Sequence, residues 1–208
     1  MNKAIILLLL ASCRFGFCSA VDTNVTAIGA WSEPVRNRHA ELRGRIVIVD
    51  AFVFIDLQEC SGVAGSCLEI EWNPESTLKF ELTNDNGVPV PACPGGYSGP
   101  GLPHDWLKMP PDSMMRLRAS PFNGGGRQKD GSLLIMSPDF QTWAVRPTAT
   151  NECFLAVTLS IPTPAAAVLT NQPHIDRHML DTWQGTLKLP KVKIPVGEKE
   201  TSGRQGTG

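Results

Sequence analysis

Residues 68–82, with the sequence LEIEWNPESTLKFEL, decide the fold class of this chain. The first five and the last five residues of this stretch each alternate apolar with charged side chains. A period of two places the apolar set on a buried face and the charged set in water, which is typical of antiparallel sheets. The stretch therefore predicts two half-buried β-strands.

Strand patterns continue on both sides of this stretch. Two apolar runs, 46–49 and 51–55, come before it, and alternating segments follow at 115–119 and 155–161. Only residues near 173–183 would suit a short helix. These segments predict a chain built almost entirely of short strands.

The predicted connections agree with a sheet protein. Residues 84–87, Asn-Asp-Asn-Gly, tolerate positive φ and predict a tight hairpin turn. In the last strand, the apolar side chains before Pro190 and those after Lys191 are out of phase by one residue. This shift predicts a β-bulge at Pro190–Lys191 on an edge strand.

About eight to ten short strands and almost no helix predict an all-β fold, either a sandwich or a barrel. Long proline-rich connections suit crossings between sheets, so we expect a two-sheet, immunoglobulin-like antiparallel sandwich. The expected organisation is a signal peptide, an irregular lead-in, one β-sandwich domain and a disordered tail, which occupy residues 1–20, 21–41, 42–195 and 196–208.

The first twenty residues resemble a secretory signal peptide. Lys3 supplies a positive charge, residues 4–11 are apolar, and Cys18-Ser19-Ala20 resembles a small-residue cleavage site. The apolar run is too short to span a bilayer, which takes about 20 residues. We therefore expect a secreted or periplasmic protein. Residues 10–13 also resemble a lipoprotein cleavage box, so anchoring through a lipidated Cys13 is the alternative.

Composition limits the partners. Charged residues are 19% and apolar residues 42% of the chain, as in globular domains. Loss of Lys3 and Arg14 with the signal peptide lowers the basic residues from 19 to 17 against 20 acidic ones, a net charge of −3. Nucleic-acid binding favours a strongly basic face and membrane surfaces attract polybasic runs, and the sequence indicates neither. The expected partner is an envelope or extracellular protein or glycan, with no nucleic acid, no transmembrane span and no cofactor.

Four cysteines remain after the signal peptide: Cys60, Cys67, Cys93 and Cys153. An even number in an exported protein predicts disulfides. We expect the pairs Cys60–Cys67 and Cys93–Cys153, because the first two flank a six-residue loop between segments expected to be neighbouring hairpin strands. A metal site or a nucleophilic thiol is the alternative, but no Cys-x-x-Cys pair is present.

His174 and His178 stand four residues apart, which on a helix would place both imidazoles on one side. Asp181 lies three residues further on and would reach the second histidine only if the segment were helical. A zinc hydrolase would carry a glutamate next to the first histidine, where this chain has Ile175. The sequence therefore favours no metal and no catalytic residue, and these two histidines and the aspartate are the metal candidates to test.

The five tryptophans fall into two groups. Trp72 and Trp143 lie in strand-like segments and are expected in the core. Trp31, Trp106 and Trp183 lie near segment ends or in loops, where aromatic rings can stack on sugars or form interfaces. These three are the candidate ligand-contact aromatics, and capping of the ends of a sandwich is the structural explanation that competes with that role.

Several short motifs resemble a group of secreted bacterial proteins of unknown function. They are Trp31-Ser-Glu-Pro, Leu42-Arg-Gly-Arg, Phe54-Ile-Asp-Leu-Gln, Asn84-Asp-Asn-Gly-Val-Pro-Val and Trp183-Gln-Gly-Thr-Leu-Lys-Leu-Pro. This resemblance implies an immunoglobulin-like fold and no catalytic residue. More remotely, a strand followed by a turn of the type Asp-x-Gly-x-x-Val resembles the bacterial proteinase-inhibitor β-sandwich domain.

Together these features predict a non-enzymatic, extracytoplasmic β-sandwich module that binds or supports another envelope component. Three alternatives stay open: a polysaccharide-binding module, a proteinase inhibitor that acts through a loop, and a metal-dependent hydrolase. Glycan binding would quench tryptophan fluorescence, inhibition would appear against a panel of proteases, and a hydrolase would carry stoichiometric zinc.

Overall fold

In the computed structural model of the protein, strands make up almost all of the regular structure. The structure describes residues 25–37, 40–61, 67–93, 102, 104–121, 126–146, 152–162 and 182–195. Over these ranges every pair of neighbouring strands is antiparallel. The predicted all-β class is confirmed.

The described ranges contain thirteen strands and one helical turn. In chain order these elements are β1 (Val25–Ile28), β2 (Val35–Arg36), β3 (Glu41–Val49), β4 (Phe52–Glu59), β5 (Leu68–Trp72), α1 (Pro74–Thr77), β6 (Leu78–Asn84), β7 (Asp105–Met109), β8 (Met114–Arg118), β9 (Gly126–Arg127), β10 (Leu133–Met136), β11 (Thr142–Val145), β12 (Cys153–Ile161) and β13 (Gly185–Lys193).

The strands assemble into four sheets, and none of the four closes into a barrel. The largest sheet has the order β1-β3-β4-β8, and β2 pairs with β3. A second sheet has the order β13-β12-β6 and a third has β11-β10-β9. The β5–β7 ribbon is the fourth sheet. The finer prediction, a two-sheet, immunoglobulin-like sandwich of eight to ten strands, stays a prediction.

The alternating segments form strands as predicted. In β5 the side chains of Leu68, Ile70 and Trp72 are buried, while the two glutamates between them are only half-buried. In β12 the odd-numbered side chains from Leu155 to Ile161 are buried in the same way. A period of two therefore identified the buried faces of these strands correctly.

The predicted hairpin turn is confirmed at the end of β6. Gly87 has a φ of 75°, a conformation that favours glycine. Its backbone N–H donates to the carbonyl of Asn84 at 3.0 Å, and the N–H of Asn84 donates to the carbonyl of Val88 at 2.9 Å. These two bonds close the turn on residues that the sequence singled out.

The predicted bulge is also confirmed. Leu155 pairs with Val192 and Val157 pairs with Leu189, so two steps along β12 match three steps along β13. The extra residue of β13 falls at Pro190–Lys191. Since β13 is the terminal strand of its sheet, a residue that cannot donate a backbone hydrogen bond is tolerated there.

The core contains buried side chains of all four sheets. Within it β13 packs against β3, which joins the largest sheet to the β13-β12-β6 sheet; we call these the two larger sheets, since β12 and β13 have nine residues each. A Cβ atom added to Gly44 of β3 would come within 2.8 Å of Leu189 Cδ2, so the backbones approach closely at this point. Alternation along β3 then directs Leu42, Ile46 and Ile48 to the same side as Gly44, and all three are fully buried.

The expected irregular lead-in at 21–41 is wrong in part. Residues 25–28 form β1 and residues 35–36 form β2, and both pair with β3. Strands of four and two residues are too short to show an alternating pattern in the sequence. Pairing with the long strand β3 supplies most of their order. Residues 1–20 and 196–208, the predicted signal peptide and tail, lie outside the described residues.

Within the described ranges, no helix has the length and apolar character needed to cross a membrane.

Candidate functional site

A group of four arginines stands on the face of the largest sheet that points away from β13. Because Gly44 faces β13, alternation along β3 directs Arg43 and Arg45 to the opposite side. Arg116 and Arg118 of β8 join them on this side. We call this surface the arginine face, which consists of Arg43, Arg45, Arg116 and Arg118 around the carboxylate of Asp56.

Asp56 is the centre of the arginine face. It lies on β4 directly opposite Arg45 of β3 and directly opposite Arg116 of β8, so three adjacent strands each contribute one charge to a single row. Arg45 Nε and Nη2 both lie 2.9 Å from Asp56 Oδ2, and Arg116 Nε lies 2.7 Å from Oδ1. The carboxylate is fully buried, which is tolerable only because both of its oxygens accept charge-assisted hydrogen bonds.

Trp31 lies against the neighbouring arginines. The guanidinium carbon of Arg43 is 5.0 Å from the centre of the indole ring and that of Arg45 is 4.6 Å from it, within the range of cation–π attraction. Arg43 also donates from Nη2 and Nε to Gln58 Oε1 at 2.8 and 3.0 Å. Gln58 is neutral, so this interaction does not neutralise the positive charge of Arg43.

Arg118 is held at the other end of the face. It donates to the carbonyl oxygens of Ser120 and Pro121 at 2.9 and 3.3 Å, and its guanidinium carbon lies 4.3 Å from the centre of the Phe52 ring. Burial lowers the pKa of Arg118, but a guanidinium remains protonated at neutral pH. The arginine face therefore carries four positive charges around one negative charge, in a chain whose formal net charge is only −1.

A cleft of about 220 Å³ adjoins the arginine face at β8. It is lined by Trp72, Leu102, Asp105, Leu107, Arg116, Leu117 and Arg118. Successive side chains of a strand point to opposite faces, so a cleft that meets three consecutive residues of β8 must lie along the edge of that strand. The opposite wall is one face of the β5–β7 ribbon, where Trp72 and Asp105 are paired in register.

The tryptophan predictions are confirmed in part. Trp72 and Trp143 are buried, as expected of core residues. Trp183, a predicted ligand contact, is fully buried and its indole N–H donates to the carbonyl of Val35 at 3.4 Å. It cannot touch a ligand in this conformation, so that part of the prediction is corrected. Trp106 is 40% exposed, while Trp31 is half-buried beneath the arginines.

The structure contains neither of the predicted disulfides: Cys60, Cys67, Cys93 and Cys153 are all free thiols. The reasoning behind the first pair is corrected, because β4 pairs with β3 and β8, while β5 pairs with β7. Cys60 and Cys67 therefore do not close a hairpin. Burial raises the pKa of Cys60 and of Cys153, so neither has the stabilised thiolate of a nucleophilic cysteine.

The metal candidates His174, His178 and Asp181 lie outside the described residues. Within the ranges that the structure describes, no three or more histidine, cysteine, aspartate or glutamate side chains gather as a metal site would require.

Sequence reasoning missed a second buried carboxylate, Glu59 at the end of β4, which is 2% exposed. Its Oε2 accepts the backbone N–H of Asp112 at 2.8 Å, and its Oε1 accepts the N–H of Ser61 at 2.8 Å and also the Ser61 hydroxyl. Burial raises the pKa of Glu59, but these three hydrogen bonds together outweigh it, so that the pKa is lowered overall. Glu59 thus ties the turn before β8 to the end of β4.

Sequence reasoning also missed the arginine face, although two of its residues carry a recognisable signal in the sequence. Arg45 and Asp56 are charged residues within apolar strands, which is the signal that a cross-strand ion pair would leave. The alternation alone assigned Arg116 to the solvent, because it does not show which strands are neighbours. Only the register brings these three residues into one row.

Comparison with known proteins gives no relative: no family model, no curated protein and no solved structure matches this chain.

Proposed function

We propose that this protein is a non-enzymatic, extracytoplasmic binding module, exported by its N-terminal signal peptide, whose two larger sheets form an immunoglobulin-like sandwich. The observation that carries the binding role is the arginine face. Its four arginines surround one carboxylate, in a chain whose formal net charge is −1. The arginine face stands on strands that are hydrogen-bonded in register, and these strands hold the charges in fixed positions.

Fixed charges of one sign favour a ligand of the opposite sign. Asp56 neutralises part of the charge of Arg45 and Arg116, while Arg43 donates to the neutral Gln58 and lies against the Trp31 ring. A guanidinium that is already oriented loses little conformational freedom when it binds a carboxylate or another oxyanion. We therefore infer that the envelope component carries acidic groups.

The test is affinity capture from an envelope extract with three immobilised proteins: the wild type, Arg43→Ala and Lys188→Ala. Lys188 is an exposed residue of β13, between Leu187 and Leu189 that face the core, so it points away from the arginine face. Both variants lose one positive charge. A component retained by the wild type and by Lys188→Ala but lost by Arg43→Ala supports the proposal. Equal retention by all three, or no retention, contradicts it.

A polysaccharide-binding module is the second candidate, and Trp106 favours it. This side chain is exposed on β7, and its ring centre lies 6.3 Å from that of His104. An exposed indole beside an imidazole offers a stacking surface for a sugar ring. Titration of Trp106→Ala and the wild type with cell-wall polysaccharide distinguishes the two candidates, because only a glycan-binding protein shows quenching that depends on Trp106.

A further inference from the structure

The cleft at the edge of β8 has a shape and a lining that the binding role proposed above does not by itself explain. Its floor and walls include Trp72, Leu102, Leu107 and Leu117, which are apolar. Arg116 and Arg118 stand at the same place, and Asp105 is the single acid in the lining. The cleft therefore combines an apolar interior with two guanidinium groups, of which that of Arg116 is paired with Asp56.

The size of the cleft limits its occupant. Sites for drug-sized molecules usually enclose about 300–1,000 Å³. The cleft encloses about 220 Å³, which is less than that range. Protein interfaces, in contrast, commonly seat one large side chain of the partner in a small apolar pocket near the centre of the contact.

The surroundings of the cleft have the composition of a protein interface. Interfaces are enriched in tryptophan, methionine and arginine. Met114 begins β8 and is 56% exposed, on the same side of the strand as Arg116 and Arg118. Trp106 of β7 is also exposed but points to the other side of the ribbon, because its neighbours Asp105 and Leu107 line the cleft. An exposed methionine beside two arginines would be covered by a partner of complementary charge.

We propose that the cleft receives one large apolar side chain of a partner polypeptide, and that acidic residues next to this side chain lie against Arg116 and Arg118. The inference rests on the proposed binding function and deepens it, since it defines the partner as an acidic peptide segment with an apolar anchor. The anchor enters between Leu107 and Leu117, and the carboxylates remain at the mouth.

Three blocked peptides provide the probe: Ser-Asp-Phe-Asp-Ser, the same peptide with glycine in place of phenylalanine, and the same peptide with lysine in place of both aspartates. Binding is followed by nuclear magnetic resonance at the indole N–H of Trp72 and at the methyl groups of Leu107 and Leu117. The indole N–H of Trp143 serves as the reference, because it donates to the carbonyl of Val90 at 3.1 Å and does not line the cleft.

We expect the first peptide to shift the cleft resonances with a Kd below about 1 mM, and the other two to bind at least about tenfold more weakly. Equal binding of the glycine peptide would overturn the proposal, because the anchor would then contribute nothing. Equal binding of the lysine peptide would overturn the role of the two arginines. Shifts of similar size at Trp143 would show that binding is not confined to the cleft and would also overturn it.

A pair of variants repeats the test on the protein. Leu107→Trp fills the cleft, while Val88→Trp adds the same side chain at the exposed turn after β6, where Val88 is 55% exposed. We expect Leu107→Trp to lose at least about tenfold in affinity for the first peptide and Val88→Trp to retain it. Unchanged binding by a folded Leu107→Trp would contradict the cleft as the site. The peptide substitutions above decide the matter if this variant does not fold.

A second copy of the chain is the competing occupant. Sedimentation of the wild type, Leu107→Trp and Val88→Trp tests it, and concentration-dependent dimers that only Leu107→Trp abolishes would overturn the foreign-peptide proposal. The test of the proposed function is independent of the test of the cleft. If the cleft binds none of the peptides while capture from the extract still depends on Arg43, the further inference is wrong and the proposed function stands.

Discussion

Gly44 of β3 lies so close to Leu189 of β13 that a Cβ atom on the glycine would stand 2.8 Å from the leucine Cδ2. The same Cβ atom would lie 3.1 Å from Leu57 Cδ2 and 3.2 Å from the carbonyl oxygen of Asp56. The contact between the two larger sheets thus depends on the absence of a side chain at this position. The arginine face lies on the opposite side of the same strands. These strands therefore support both the packing between the two sheets and the proposed ligand surface.

Gly44→Ala is therefore expected to lower the free energy of unfolding by about 1–3 kcal/mol, because the added methyl group overpacks the core. Urea unfolding measures the change. The double variant Gly44→Ala with Leu189→Val should recover part of the loss, since valine removes the atom that the new methyl group meets. Purely additive losses in the double variant would show that the two residues do not compete for space.

Asp56→Asn is expected to destabilise the protein by about 3 kcal/mol, because it leaves two arginines beside a neutral, buried amide. The side chains of Arg45 and Arg116 are 22% and 30% exposed, so part of their charge remains accessible to water. Gln58→Ala is the control on the same face of β4 and should cost only about 1 kcal/mol, the worth of an ordinary hydrogen bond. A similar cost for both variants in urea unfolding would contradict the ionic role of Asp56.

The stability of the protein should fall in acid partly through Glu59. Its pKa is lower in the folded protein than its ordinary value, so the ionised carboxylate stabilises the fold above that ordinary value. This stabilisation is lost as the pH falls below that ordinary value and through the lowered pKa of the folded state. Glu59→Gln should be less stable than the wild type at pH 7 and should lose less stability on acidification. Parallel pH profiles of the two proteins in urea unfolding would exclude this role.

The four described cysteines form no bridge in the structure, so the reduced protein should fold. Its fluorescence and circular dichroism in the presence of a phosphine reductant check this expectation. Peptide mapping without reduction should find these four thiols free, and a bridge between any two of them would contradict the structure.

Export predicts the mass of the mature chain. Cleavage after Ala20 leaves Val21 as the first residue, and intact-mass measurement of the protein recovered from the envelope or medium detects it. A diacylglyceryl adduct on Cys13 would instead establish the lipid-anchored alternative. Recovery of the uncleaved chain from the cytoplasm would contradict export.

Local chemistry was sufficient for the features of this fold that depend on neighbours in the chain. Alternation identified β5, β6 and β12, because a half-buried strand shows its two faces in its own sequence. Asn84 to Gly87 specified a turn, since few residues adopt its positive φ at low cost. The phase shift at Pro190 located the bulge for the same reason: one extra residue moves every later side chain to the other face.

The tertiary structure alone decided which strands are neighbours, and with that the candidate site. Asp56 and Arg116 are 60 residues apart and meet only because β4 and β8 pair in one register. Trp183 was expected near a ligand but is buried, because burial depends on the elements that pack over a residue and not on its position at a segment end. Strand pairing depends on residues that are distant in the chain, and no local pattern encodes it. The sequence by itself therefore determined an all-β chain with its turns and bulge. The register between distant strands decided the arginine face and the cleft beside it.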